Sequence, residues 1–170
     1  MDNFRAYRID EKDGEIVAGF QELGLDDLTE GNVVVRVTHS TINYKDALAA
    51  TGKGKILRRH PLNGGIDFAG VVVSSEDVDF QPGTEVLMNG CGLSETADGG
   101  YSEYARVDSQ GLVAVPEGMT CAEAMQIGTA GYTAAPRDRS CPSTPGDRPG
   151  TTTNGSMRWV ARSSRRAWAE

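Results

Sequence analysis

The chain has 170 residues, 38% of them hydrophobic, with 21 glycines, 7 prolines and a formal net charge of −7. That length suits one domain of ordinary size with or without a tail, and the many turn-formers favour a β-rich fold over a helical bundle. No apolar run of about 18 residues is present to span a bilayer, and the charged start MDNFRAYRIDEKDG lacks a signal core, so a cytoplasmic protein is expected.

In chain order, Phe4–Ile9 and Glu15–Phe20 read as short strands joined by the turn-rich Glu11–Gly14. The β-branched stretch Asn32–Ser40 predicts a strong central strand. Asn43 is placed to cap a helix over Tyr44–Ala50, which Gly52 ends. Ile66–Ser74 is nearly continuous in apolar residues, the pattern of a strand buried on both faces. The turn Gln81-Pro82-Gly83 precedes a strand at Glu85–Asn89. Alternation over Gly99–Val107 predicts another strand, followed by Gly111–Val115. After the break at Pro116-Glu117-Gly118, Thr120-Cys121-Ala122-Glu123 is a capping box opening a helix through about Ile127. Many short strands with small helices suggest a closed or partly open β-barrel, which leaves few exposed edges.

Chemistry-bearing residues are sparse. Cys91, Cys121 and Cys141 are too scattered for a disulfide framework or a zinc cluster, and His39 and His60 lie at no ligand spacing from them. No metal is expected. Asp67 begins an apolar strand, where an unpaired carboxyl would be costly, so it is expected to accept hydrogen bonds from a neighbouring loop. Asp46 reads as a helix-stabilising acid near an N-terminus. Lys53, Lys55, Arg58, Arg59 and His60 form a dense basic patch, read either as a phosphate-capturing site or as a solvated loop. Gly52-Lys53-Gly54-Lys55 lacks P-loop spacing, and no Gly-x-Gly-x-x-Gly follows a strand anywhere in the chain.

The stretch Asn43–Gly70, NYKDALAATGKGKILRRHPLNGGIDFAG, closely resembles the N-terminal domain of the zinc-free medium-chain dehydrogenase/reductase superfamily, quinone oxidoreductase and acryloyl-CoA reductase branch. The resemblance covers about residues 4–135 and implies a GroES-like barrel. Zinc-dependent relatives carry a ligand cysteine where Asn43 stands, and Gly-His-Glu where Gly65-Ile66-Asp67 stands; neither Asn43 nor Ile66 suits zinc. The resemblance further implies NADPH as cofactor and a small-molecule substrate, an activated enoyl group or a quinone, with homodimers possible among full-length members. Tyr44 would lie beside the nicotinamide, Asn43 on the substrate side, and the Thr129 hydroxyl near the nicotinamide region. For each of these residues a purely structural reading also stands: Tyr44 as a helix anchor, Thr129 as part of a helix-ending Gly128-Thr129-Ala130-Gly131 turn.

The resemblance stops near Ala135, and the charge changes there. Residues 1–135 carry ten Lys+Arg against 21 Asp+Glu, net −11; residues 136–170 carry seven Arg against three acids, net +4, which together give −7. The tail has no apolar period able to bury a face, and disorder is expected there. A basic nucleic-acid arm is disfavoured by the acidic body, leaving a native flexible tail or a frameshifted gene end. On the frameshift reading the nucleotide-binding lobe is missing and activity of the chain alone is doubtful. A stand-alone barrel acting as a binding or assembly module is the alternative.

Overall fold

The structure, a computed structural model, describes residues 3–135; the expectations for residues 136–170, Cys141 included, lie outside the described residues. Among these residues eight strands and two α-helices follow in the order β1 (Phe4–Lys12), β2 (Glu15–Leu23), β3 (Val33–Ser40), α1 (Tyr44–Thr51), β4 (Leu62–Asn63), β5 (Asp67–Ser75), β6 (Glu85–Asn89), β7 (Tyr104–Val107), β8 (Val113–Ala114) and α2 (Cys121–Ala134). Strands pair in the orders β2-β1-β4 and β7-β3-β5-β6-β8. Every pairing between these strands is antiparallel. No helix among the described residues is long and apolar enough to cross a membrane.

The β1–β2 hairpin is longer and tighter than the sequence suggests. Its ladder runs from Phe4↔Leu23 to Lys12↔Glu15, leaving a two-residue turn in which Asp13 and Gly14 both adopt positive φ, 54° and 83°. Asp-Gly is the pair that tolerates this geometry, and the resulting twist matches that of the flanking strands. Glu11 and Lys12 therefore belong to the ladder rather than to the turn.

β3 and β5 form the central pair, with Val33, Val35, Phe68 and Val72 buried in one cluster. Each such side chain contributes roughly 1.5–3 kcal/mol through burial. The first four residues of β5, Asp67 to Gly70, are all buried, as expected of a strand covered on both faces. Gly52 ends the α1 region in the left-handed conformation, φ 67°, as expected of a glycine C-cap.

Two expectations need correction, and one short strand is unanticipated. The alternating stretch Gly99–Val107 is a regular strand only over Tyr104–Val107. Its first part instead bridges the two sheets: Tyr7 N donates to Tyr101 O (2.7 Å), Glu103 N to Arg5 O (3.1 Å) and Val37 N to Glu103 O (2.9 Å). This bridge partly closes the barrel between β1 and β3. The two-residue β4 carries no periodicity that sequence could reveal. Finally, α2 continues past Ile127, but as two helical pieces meeting at Gly128, whose φ 48° and ψ −162° are non-helical. Thr120 opens α2 as expected, its hydroxyl accepting from Glu123 N (3.2 Å) while the Glu123 carboxylate accepts from Thr120 N (2.8 Å).

Candidate functional site

The barrel gathers its buried acids where β5, the loop before α1 and the kink of α2 meet. Asp67 is fully buried at the start of β5. Its Oδ2 accepts from Thr41 Oγ1 (2.6 Å), Asn43 Nδ2 (3.0 Å) and Thr129 N (3.0 Å). Its Oδ1 accepts from the Thr129 hydroxyl. Four donors and no cation face this carboxyl group; charge-free hydrogen bonding satisfies it. The acceptor role expected of Asp67 holds, although one of its two partner segments is the α2 kink rather than a loop alone.

The kink is what brings Thr129 there. A Cβ added at Gly128 would lie 2.9 Å from Thr41 Cγ2 and 3.2 Å from Asp67 Oδ2, so only glycine lets α2 approach this closely.

Asp46 does more than stabilise a helix end. It is buried on α1, its Oδ1 accepting from Ile66 N (3.0 Å) and its Oδ2 from Asn43 N (2.8 Å) and Tyr101 Oη (3.1 Å). Tyr101 also donates to Thr41 O at 2.8 Å, a phenol sharing one proton between two acceptors. Burial, and then the Asp46 charge beside it, pushes the Tyr101 hydroxyl well above its ordinary pKa, so it remains a donor. Asn43, at the α1 N-cap with φ −111° and ψ 157°, directs its amide group to Thr41 Oγ1 (2.8 Å) and Asp67. Asn43, Asp46, Asp67, Tyr101 and Thr129 thus form one network.

Tyr44 is the next residue and is 80% exposed. Beside it Ile42 is also exposed, so the network is flanked by an apolar lip. No salt bridge joins the basic patch to this network among the described residues. Lys53, Lys55, Arg58 and Arg59 are exposed. Arg58 is drawn to Glu95 (Nε to Oε1, 3.3 Å), which also pairs with Lys45 at 2.7 Å. The Lys45 hydrogen bond holds the Glu95 carboxyl below its usual pKa. His60 turns to Glu11 at 3.5 Å. No cluster of three or more His, Cys, Asp or Glu arranged to hold a metal occurs among the described residues.

Sequence reasoning missed Tyr101 and the working of Asp46. A signal was present in the doubled glycines Gly64-Gly65 and Gly99-Gly100. A Cβ at Gly99 would overlap the carbonyl oxygens of Gly64 and Gly65, and a Cβ at Gly100 would lie 2.5 Å from Asp67 O. Glycine on both sides lets the two backbones touch, which carries Tyr101 to Asp46.

A family model, the alcohol dehydrogenase GroES-like domain, matches residues 29–117. The probable acrylyl-CoA reductase AcuI of Escherichia coli (strain K12) is 51% identical over 130 residues, which cover 76% of this chain and 40% of AcuI. YhfP of Bacillus subtilis (strain 168), provisionally named a quinone oxidoreductase, is 42% identical over 132 residues, covering 78% of this chain and 40% of YhfP. The solved structure of the yhdH oxidoreductase from Salmonella enterica in complex with NADP superposes with a TM-score of 0.74 at 50% identity, covering 76% of this chain and 40% of that one. The chain therefore spans about 40% of the length of the curated relatives it matches.

Proposed function

Because the chain belongs to the alcohol dehydrogenase GroES-like domain family, we propose that it forms the substrate side of a zinc-independent, NADPH-dependent oxidoreductase that reduces an enoyl-CoA of the acrylyl type. The observation that carries this reading is the 51% identity with AcuI across the barrel. A quinone as acceptor is the second reading, favoured by the likeness to YhfP.

NADPH, when bound, supplies the hydride. The residues present fit its nicotinamide end. Tyr44 offers an exposed ring at the lip, able to cover the reacting face and keep water from it. The Thr129 hydroxyl gives its proton to Asp67, which leaves its lone pairs to accept from an N–H such as that of a carboxamide. Asn43 holds the loop that presents Tyr44, because its amide is engaged with Thr41 and Asp67. A glycine-rich βαβ turn, the usual grip on a dinucleotide pyrophosphate, does not occur among the described residues. Cofactor affinity is accordingly assigned to a separate lobe.

Calorimetric titration of the 170-residue chain with propionyl-CoA, a non-reactive acyl-CoA, is expected to register binding, while NADPH alone binds weakly and is not oxidised in the presence of acrylyl-CoA. Micromolar NADPH affinity would overturn the division between lobes. Absence of acyl-CoA binding up to millimolar concentration, with a quinone bound instead, would transfer the case to the second reading.

Lys53, Lys55 and Arg59 are proposed to steer these polyanionic ligands toward an otherwise acidic body. Reversing all three to Glu should slow acyl-CoA association about tenfold at low ionic strength, with the difference vanishing at high salt. Stopped-flow association rates that respond equally at every salt concentration would refute steering.

A further inference from the structure

A groove of about 710 Å³ opens beside the buried network, between the first sheet, β3 and α1. Its walls are mainly apolar and include Tyr7, Phe20, Val37, Ile42, Ala47 and Ala50. Three aromatic rings follow one another along it. Phe20 meets Tyr7 edge-on at 5.3 Å, and Tyr7 meets Tyr101 edge-on at 6.5 Å. The row thus has an inner end, where the Tyr101 hydroxyl touches Asp46 and Thr41, and an outer end at Phe20.

The outer end is unusual for a protein surface. Phe20 is 68% exposed, yet it is held in place by Tyr7 and by the Arg5 guanidinium, which sits 4.8 Å from the ring centroid. Arg5 itself forms no salt bridge among the described residues. The remaining charged or titratable groups on the groove are accounted for. Glu103 accepts from the Arg5 backbone N–H (2.8 Å), Asp46 is engaged within the network, and His39 Nδ1 lies 3.0 Å from Thr38 Oγ1. The groove therefore offers a cation, unpaired among the described residues, stacked on an exposed ring at its mouth, then an apolar run, and a polar network at its inner end.

We propose that this groove holds the pantetheine arm of an acyl-CoA thioester, with the nucleotide end of the ligand on Arg5 and Phe20 and the acyl group at the Tyr101 end. The assignment rests on the enoyl-CoA reading above and extends it to named residues. A coenzyme A thioester matches each station of the groove. Its phosphates take the guanidinium fork and its adenine takes the exposed aromatic face. Its pantetheine arm lies along the apolar run, and its short acyl chain needs only a small apolar recess. A quinone has no phosphate, so it leaves the Arg5 guanidinium unused.

Arg5→Gln and Phe20→Ala alter exposed side chains, so both variants should fold, which thermal unfolding verifies. Each is expected to weaken calorimetric binding of propionyl-CoA about tenfold. Binding of propionyl-pantetheine, which lacks the nucleotide, should be weak in the parent chain and unchanged by Arg5→Gln. If the parent chain binds propionyl-CoA and both variants bind it equally well, the groove assignment falls while the substrate class stands. If the parent chain binds propionyl-CoA and propionyl-pantetheine with equal affinity, the nucleotide end is not recognised here, and the assignment falls as well. If the parent chain binds only a quinone, the substrate class falls and takes the groove assignment with it.

Discussion

Replacing Asp67 with Ala should lower stability by about 3 kcal/mol, which for a domain of this size lowers the thermal midpoint by roughly 10 °C. The alanine removes the acceptor for Thr41, Asn43 and two donors of Thr129 at once, and unpaired buried donors cost about 1–3 kcal/mol each before any relaxation. Asp67→Asn keeps the shape and one carbonyl oxygen. Its new amide can donate to the Thr129 hydroxyl, which accepts as readily as it donates. The asparagine variant should therefore lose less than half as much as the alanine variant. Paired thermal melts of the two variants provide the measurement. Equal losses would mean that packing at this position, and not hydrogen bonding, holds α2 to the barrel.

Gly70→Ala is expected to be more damaging still, costing more than about 3 kcal/mol, and Gly19→Ala serves as the reference. At Gly70 the added methyl would overlap Arg36 O, with Val37 Cα at 2.9 Å. The obstacle is backbone on the central β3 strand, which cannot rotate away as a side chain can. At Gly19 an added Cβ meets nothing within 4 Å, so that variant should stay within about 0.5 kcal/mol of the parent. Denaturant midpoints compare the two directly. A Gly70→Ala protein as stable as Gly19→Ala would show that β3 and β5 can separate without cost, contrary to their pairing through Val37↔Gly70.

Both predictions concern positions whose environment sequence reveals only in part. The apolar run of β5 and the β-branched run of β3 are strong periodic signals, and the capped helix α1 carries its own start and stop, so these elements are legible residue by residue. Asp67 is legible as a demand: a carboxyl in such a strand must find donors. Which donors is not legible, because Thr129 is 62 positions away and reaches it only through the break at Gly128. The groove is hidden for the same reason. Arg5 and Phe20 sit on opposite strands of a hairpin, and Tyr101 comes from a segment that reads as plain strand alternation. Gly99 and Gly100 interrupt that alternation in space, although the letter pattern runs on through them. The basic patch shows the converse. Lys53, Lys55, Arg58, Arg59 and His60 lie close in sequence, yet Arg58 and His60 turn to different carboxylates.

The glycine seam has a consequence for how such a barrel could diversify. Where Gly64-Gly65 meets Gly99-Gly100, Gly99 N donates to Asn63 O, Gly100 N to Gly65 O and Tyr101 N to Gly64 O, each at 2.9 Å. Main chain alone fixes this joint, so the backbone of Tyr101 is set independently of the side chains that line the cleft, and its hydroxyl then depends on Asp46 and Thr41. Exchanges at Phe20 or Ile42, which do not contact the Tyr101 hydroxyl, could then re-tune the lining while the phenol stays where it is, a separation of framework from lining.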